Sequence, residues 1–287
     1  MWGLAAALLS AVCATAKDVV SKSVAGRVDG TVSALASFLY ALPWYLVVLL
    51  ILWLLGLESF AVTPEFFIWI GLRALSDSVA EQCKMYALSA ADLSLVSSFL
   101  SLSPLFLLLT SPLITGDPLT GGGILAVVLV VAGTLLLVYR PGTTLSGADR
   151  RGILFGVAAS VFFSINTCFD RLAVQTASPT LSGFAVTLLA GLVLLPQAMR
   201  RTAWLRQLRS HAPAFTLRGG FELGFMVTKL YALQFLPAPQ VAALQRISIL
   251  LNVASGRFIF QDRDFRRRFM AALLMVAGIL VIVGEGW

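Results

Sequence analysis

Charge is scarce in this sequence. Asp, Glu, Lys and Arg make up 12% of its 287 residues, about half the share of an ordinary soluble domain. That deficit removes most of the surface a soluble fold shows to water and leaves no room for a sizeable soluble domain. Histidine is nearly missing too. The one histidine, His211, stands in a polar loop, and no Cys or His lies at metal-ligand spacing from it. Cys13, Cys83 and Cys168 fall in three different apolar segments without a CxxC pair, so they read as small buried hydrophobes. No Walker glycine loop and no Ser-His-Asp arrangement is present. The expectation is therefore no enzyme, no metal and no cofactor.

What the chain has in abundance is apolar sequence: 59% of residues are hydrophobic and the mean hydropathy is +0.91. A spanning helix needs roughly 20 mostly apolar residues. Apolar runs between turn signals predict helices at 2–24, 31–56, 66–89, 92–114, 119–139, 151–174, 179–199, 213–235, 239–260 and 268–284. Pro43 and Pro104 fall inside two of them, as kinks that a membrane helix tolerates. Met1 to Ala16 has no basic residue ahead of it, and Lys17 and Lys22 follow. This fits a first span better than a cleaved leader. The net charge of +7 resides in loops, where it suits anionic headgroups rather than nucleic acid. One such loop, Arg200 to Ala212, interleaves arginines with Trp204, Leu205 and Leu208; it reads equally as an amphipathic surface helix or as a cationic loop.

The chain also repeats itself. Shifted by 145 residues, Arg73–Val138 aligns on Arg218–Val283 without a gap and with about 17 of 66 positions identical. Lys84-Met-Tyr-Ala-Leu meets Lys229-Leu-Tyr-Ala-Leu, Ser103 meets Ser248, Asp117 meets Asp262, and Asp77 stands opposite Glu222. Shared hydrophobicity does not produce matched Arg, Lys, Tyr and Asp in one register. The predicted fold class is an all-α integral membrane protein of ten transmembrane helices, arranged as two inverted five-helix repeats over residues 1–140 and 150–287. Five helices per copy is odd, so the second copy enters the membrane from the other side.

These halves, each with its Tyr-Ala-Leu, its short acidic turn and an Ala-Gly-containing final helix, resemble the drug/metabolite transporter superfamily and, within it, EamA-type transporters. The family turn usually reads Gly-Glu; here it is Gly116-Asp117 and Gln261-Asp262. The resemblance implies transport of a metabolite or drug without naming the cargo. It extends distantly to small four-helix multidrug exporters, whose helix-1 glutamate has no counterpart here. The expected function is secondary transport of a small polar or amphipathic metabolite by alternating access. The alternatives are a lipid-linked substrate flippase, a multidrug exporter, and a non-transporting membrane interaction or sensor protein. Expected partners are a small-molecule substrate, the bilayer and a second copy in a homodimer, with no nucleic acid. The expected location is the inner cell membrane. Loop charges put the arginine-rich side in the cytoplasm and both termini outside, whereas the family usually keeps its termini inside.

Charges within the predicted spans need a reason, since each costs roughly 2.5–3.5 kcal/mol at mid-depth. Arg73, Asp77, Glu81 and Lys84 share one face of the third helix, and Arg218, Glu222 and Lys229 repeat that ladder in the eighth. Lys84, Lys229, Arg246, Gln245, Glu81 and Glu222 are the candidate substrate-binding residues, joined by Ser101 and by Tyr86 and Tyr231, which read equally as cavity aromatics or interface anchors. Asp18 and Asp170 are candidate coupling acids, or alternatively hydrogen-bonding groups near helix ends. The competing reading is that the ladders pair internally and only hold helices together. Arg73, Arg218 and Asp77 are expected nearer the interface as pairing or snorkelling groups. The serines from Ser94 to Ser103, Gly152-xxx-Gly156 and Gly220-xxx-Gly224 are packing candidates, and Asp117 and Asp262 are expected helix caps.

Overall fold

A computed structural model describes the chain except for residues 1, 59, 101, 117–120, 122–124, 126–127, 130–131, 134–135, 137–145, 237, 246, 260–264 and 286–287. The fifth predicted helix (119–139), Asp117, Asp262, Ser101 and Arg246 lie wholly or largely outside the described residues, as do the side chains of Ser94, Ser97 and Ser98. Among the described residues every regular element is helical: α1 (Trp2–Val24), α2 (Gly30–Leu39), α3 (Leu42–Leu54), α4 (Pro64–Ala90), α5 (Leu93–Leu100), α6 (Ser103–Ile114), α7 (Gly147–Ala173), α8 (Pro179–Met199), α9 (Trp204–Ser210), α10 (Ala212–Phe235), α11 (Ala238–Leu244), α12 (Ile247–Phe258) and α13 (Phe265–Glu285).

Local chemistry sets these boundaries. Pro43 and Pro104 do not kink continuous helices, as the sequence suggested. Each sits in the first turn of a new helix, α3 and α6, where a proline's missing N–H costs no hydrogen bond. Asp29 caps α2 by accepting from the Thr31 and Val32 amides. Ser146 and Asp149 form a reciprocal capping box that starts α7 earlier than predicted. Lys22 donates to the Leu88 and Ala91 carbonyls at 3.0 and 2.7 Å, satisfying orphan acceptors where α4 ends. The arginine-rich segment after α8 forms the short helix α9.

Among the described residues, four segments of at least 18 residues are apolar enough to span a bilayer by length and composition: α1, α2–α3 together, α7 and α8. With 27 residues, α4 is about 40 Å long, but its charged ladder lowers its hydropathy. The shell is apolar; Leu46, Leu50, Trp53, Leu54, Phe67 and Ile68 are all exposed, as lipid-facing side chains are in a bundle whose polar groups point inward.

The helices of the two halves interleave: α4 packs most extensively on α7, and α1 on α10. Glycines permit the approach. A Cβ on Gly152 would lie 2.5 Å from that of Ala91, and one on Gly219 would lie 2.3 Å from the Tyr40 carbonyl oxygen. In α10 the tightest approach falls on Gly219; of the expected pair, a Cβ on Gly224 would lie 3.0 Å from Cys13 Sγ, whereas Gly220 faces the Trp44 ring at an ordinary 3.5 Å. The contacts also fix direction. The end of α4 lies beside the end of α1 through Lys22, while Phe235 and Leu236 at the end of α10 lie beside Gly3 at the start of α1. The α4 and α10 ladders therefore run in opposite directions along α1.

Candidate functional site: a charged cavity between the two halves

Side chains of α1, α4, α7, α10 and α12 enclose a cavity of about 110 Å³, room for several waters. Lys17 and Asp18 reach it from α1, Arg73, Asp77, Glu81 and Lys84 from α4, and Glu222, Phe225, Met226 and Lys229 from α10. Phe163 and Thr167 of α7, Ser103, Gln245, Ser248 and Asn252 complete much of the wall.

The charges sort into three groups along the helices. Near the arginine-rich ends, Arg218 Nη2 lies 2.6 Å from Glu81 Oε1 and its Nη1 donates to the Ser33 carbonyl at 2.9 Å. Arg218 also donates to the Ser37 hydroxyl, which itself donates to Glu81 at 2.9 Å. Beside it, Lys84 pairs with Asp18 at 2.5 Å, and the Asn252 amide donates to the second Asp18 oxygen at 3.0 Å. Toward the opposite ends, Arg73 bridges Asp170 at 2.6 Å and Asp77 at 2.9 Å. Lys229 pairs with the other Asp170 oxygen at 2.7 Å, and Asn166 donates to Asp77 at 3.0 Å. Between these groups Lys17 pairs with Glu222 at 2.6 Å, its ammonium 4.3 Å from the centre of the Phe225 ring. A buried ion left without a partner costs several kcal/mol. Five cations (Lys17, Arg73, Lys84, Arg218, Lys229) and five carboxylates (Asp18, Asp77, Glu81, Asp170, Glu222) meet that demand by pairing.

The pairing is mostly not the one the ladders suggest. Only Arg73–Asp77 closes within a helix; the other pairs join different helices, and three of them join the two halves. Arg73 and Arg218, expected near the interface, are 2% and 0% exposed, because the ladder faces turn into the bundle where α4 meets α7 and α10 meets α2. Asp77 lines the cavity as well. Lys84, Lys229, Glu81, Glu222, Gln245 and Asp18 all reach the wall, while Asp170 stands behind it as the shared acceptor of Arg73 and Lys229. The two tyrosines do not line the cavity. Tyr86 lies at the arginine-rich rim, its hydroxyl 2.9 Å from that of Thr31 and accepting from Arg201 at 3.1 Å. Tyr231 is 39% exposed and packs its ring on Phe235. Lys17, Phe225 and Asn252 went unselected in the sequence. Lys17 carried the one usable signal, an ionisable residue about two-thirds along a first span.

A helical membrane protein with its charges turned inward, built from two interleaved repeats around one enclosed polar cavity, has the architecture of a membrane transporter. The chain belongs to the EamA-like transporter family, whose model matches residues 1–139 and again 150–284; it is a multi-pass membrane protein of the drug/metabolite transporter superfamily. Comparison with curated protein sequences gives no match. Solved structures do match, 28 chains in all. One, titled only as the crystal structure of a protein, is 18% identical with a TM-score of 0.59, over 98% of this chain and 96% of that one. At that identity the likeness speaks for the fold.

Proposed function

We propose that the protein is a secondary carrier of a small polar or amphipathic metabolite, with ten spans in two inverted five-helix repeats that expose the central cavity to either side in turn. The observation that carries this reading is the ring of ion pairs tying one half to the other around the cavity: Lys17–Glu222, Arg218–Glu81 and Arg73–Asp170. Pairs of this kind break and re-form as two halves rock, whereas a rigid scaffold gains little from burying them. The opposed directions of α4 and α10 support the inversion. The cationic segments around α9 suit a cytoplasmic face, and on this reading both termini lie outside, with the inner cell membrane as the expected location.

Flux in proteoliposomes tests the reading. Vesicles containing the purified chain, preloaded with pooled amino acids, sugars, organic acids or nucleosides, should show counterflow for one pool. Lys84→Gln/Asp18→Asn removes both members of a cavity pair together and should abolish that flux while the protein stays monodisperse. Unchanged flux in this folded variant would exclude the cavity as the pathway, and absence of flux from every pool would count against a carrier of soluble metabolites.

A further inference from the structure

Lys17–Glu222 differs from the other buried pairs in how little else holds it. Asp18 also accepts from Asn252, Asp170 is shared by two cations, and Glu81 also accepts from Ser37. Among the described residues Lys17 and Glu222 have no second ion-pair partner within contact distance; the ammonium otherwise rests over Phe225. One residue comes from each half, and both side chains line the cavity. The pair is also central, between the two more heavily bonded groups.

We propose that this pair is the substrate-binding pair, and that the substrate is a zwitterion of zero net charge, which inserts between Lys17 and Glu222. The inference rests on the carrier reading and adds to it a binding pair and a charge class. Among the described residues the charges that line the cavity balance, four against four, and so do the two behind them, Arg218 and Asp170. An anion that draws Lys17 away leaves the Glu222 carboxylate buried alone, and a cation that takes Glu222 strands Lys17; either carries a large desolvation penalty. A molecule with one carboxylate and one ammonium replaces a single ion pair by two and strands nothing. Its carboxylate meets Lys17 and its ammonium meets Glu222, with Phe163 and Phe225 beside it as an apolar wall for a nonpolar substituent. Loading and release then shift no net charge into or out of the site.

Thermal unfolding of the full chain in detergent, against three pools built on the same carbon skeletons, tests the inference: neutral α-amino acids, the matching monocarboxylates and the matching monoamines. Wild type should be stabilised by the amino-acid pool alone. Lys17→Gln/Glu222→Gln removes both charges together and should weaken that binding about 100-fold, the loss of two charge-assisted contacts. The single changes should redirect it, Lys17→Gln toward the amines and Glu222→Gln toward the monocarboxylates, which a purely structural pair would not do. Stabilisation of wild type by either singly charged pool overturns the zwitterion while leaving the carrier reading intact. Amino-acid binding that is unchanged in the folded double variant overturns the assignment of the pair. Silence with all three pools, with flux of another metabolite, overturns the charge class; silence with no flux of anything removes the carrier reading as well. The wild-type preference decides the charge class even where a variant fails to fold.

Discussion

The two ends of the cavity descend from one duplicated ladder, yet they are tied differently. Arg73 and Arg218 occupy the same repeat position, as do Lys84 and Lys229. Asp18 and Asp170 answer one another in space, each holding the lysine of its own half. The symmetry fails at one rung, where Glu81 of the first copy corresponds to Met226 of the second. Arg218 therefore finds a carboxylate on α4, while Arg73 meets only the Met226 sulfur at 4.0 Å on α10 and turns to Asp170 of α7 instead. One substitution after duplication thus leaves α4 bolted to α10 near the arginine-rich ends and unbolted from it near the others. In the proposed carrier reading, that difference biases which end is held together at rest.

Removing each arginine in turn breaks the comparison most forcefully. Arg218→Ala strips Glu81 of its ion-pair contact and leaves the Ser37 hydroxyl as its hydrogen-bond donor, so stability should fall by about 3–5 kcal/mol. Arg73→Ala should cost less, about 1.5–3 kcal/mol, because Asp170 keeps Lys229 and Asp77 keeps the Asn166 amide. Thermal unfolding in one detergent ranks the two. An equal or reversed ranking would mean that the two ends are tied alike despite the changed rung.

Backbone packing around the same rungs offers a second contrast. Ala74 and Gly219 are repeat equivalents, yet a Cβ fits only in the first copy. At Gly219 the α2–α3 break brings the Tyr40 carbonyl to 2.3 Å from where that Cβ would stand. Gly219→Ala should cost about 1–3 kcal/mol through overpacking. Gly220→Ala, facing the Trp44 ring at 3.5 Å, should be neutral or slightly stabilising, since alanine is the better helix former. Loss of stability in both variants to the same degree would remove the close approach at Tyr40 as the cause.

Much of this was legible in the sequence, for definable reasons. Long apolar runs and a gapless 145-residue register identified the membrane fold and the repeat, because bilayer thickness and duplication both write a period into the chain. The ladders named four residues that reach the wall, Lys84, Lys229, Glu81 and Glu222, while Arg73 and Asp77, expected nearer the interface, reach it too. Pairing was not legible. Which carboxylate meets which cation depends on how α1 seats against α10 and α4 against α7, and no periodicity within one helix reports that. Lys17 escaped notice because a lysine after an apolar N-terminal run reads first as a flank, and only its distance along α1 places it inside. For Tyr86 and Tyr231 the sequence left cavity and interface roles open, because a matched motif marks common descent rather than position; neither tyrosine lines the cavity.

The smallest contrast is between those two tyrosines. The Tyr86 hydroxyl contacts that of Thr31 and accepts from Arg201, whose Nη2 also donates to Thr31 at 3.2 Å. This joins the end of α4, the start of α2 and the segment after α8 across the two halves. Tyr231 makes its ring contact with Phe235 on the same helix. Tyr86→Phe deletes one oxygen at a partly exposed site, so it should cost about 1 kcal/mol, while Tyr231→Phe should leave stability within about 0.5 kcal/mol of wild type. The rim bonds tie the two halves at the arginine-rich end, and in the carrier reading they must open once per cycle. Tyr86→Phe should therefore raise the reaction rate of a cysteine introduced at Ser37 with a reagent added from that side, and Tyr231→Phe should not. Equal labelling in both variants would mean that the rim network stabilises the fold without acting as a latch, leaving Arg218–Glu81 to hold that end closed.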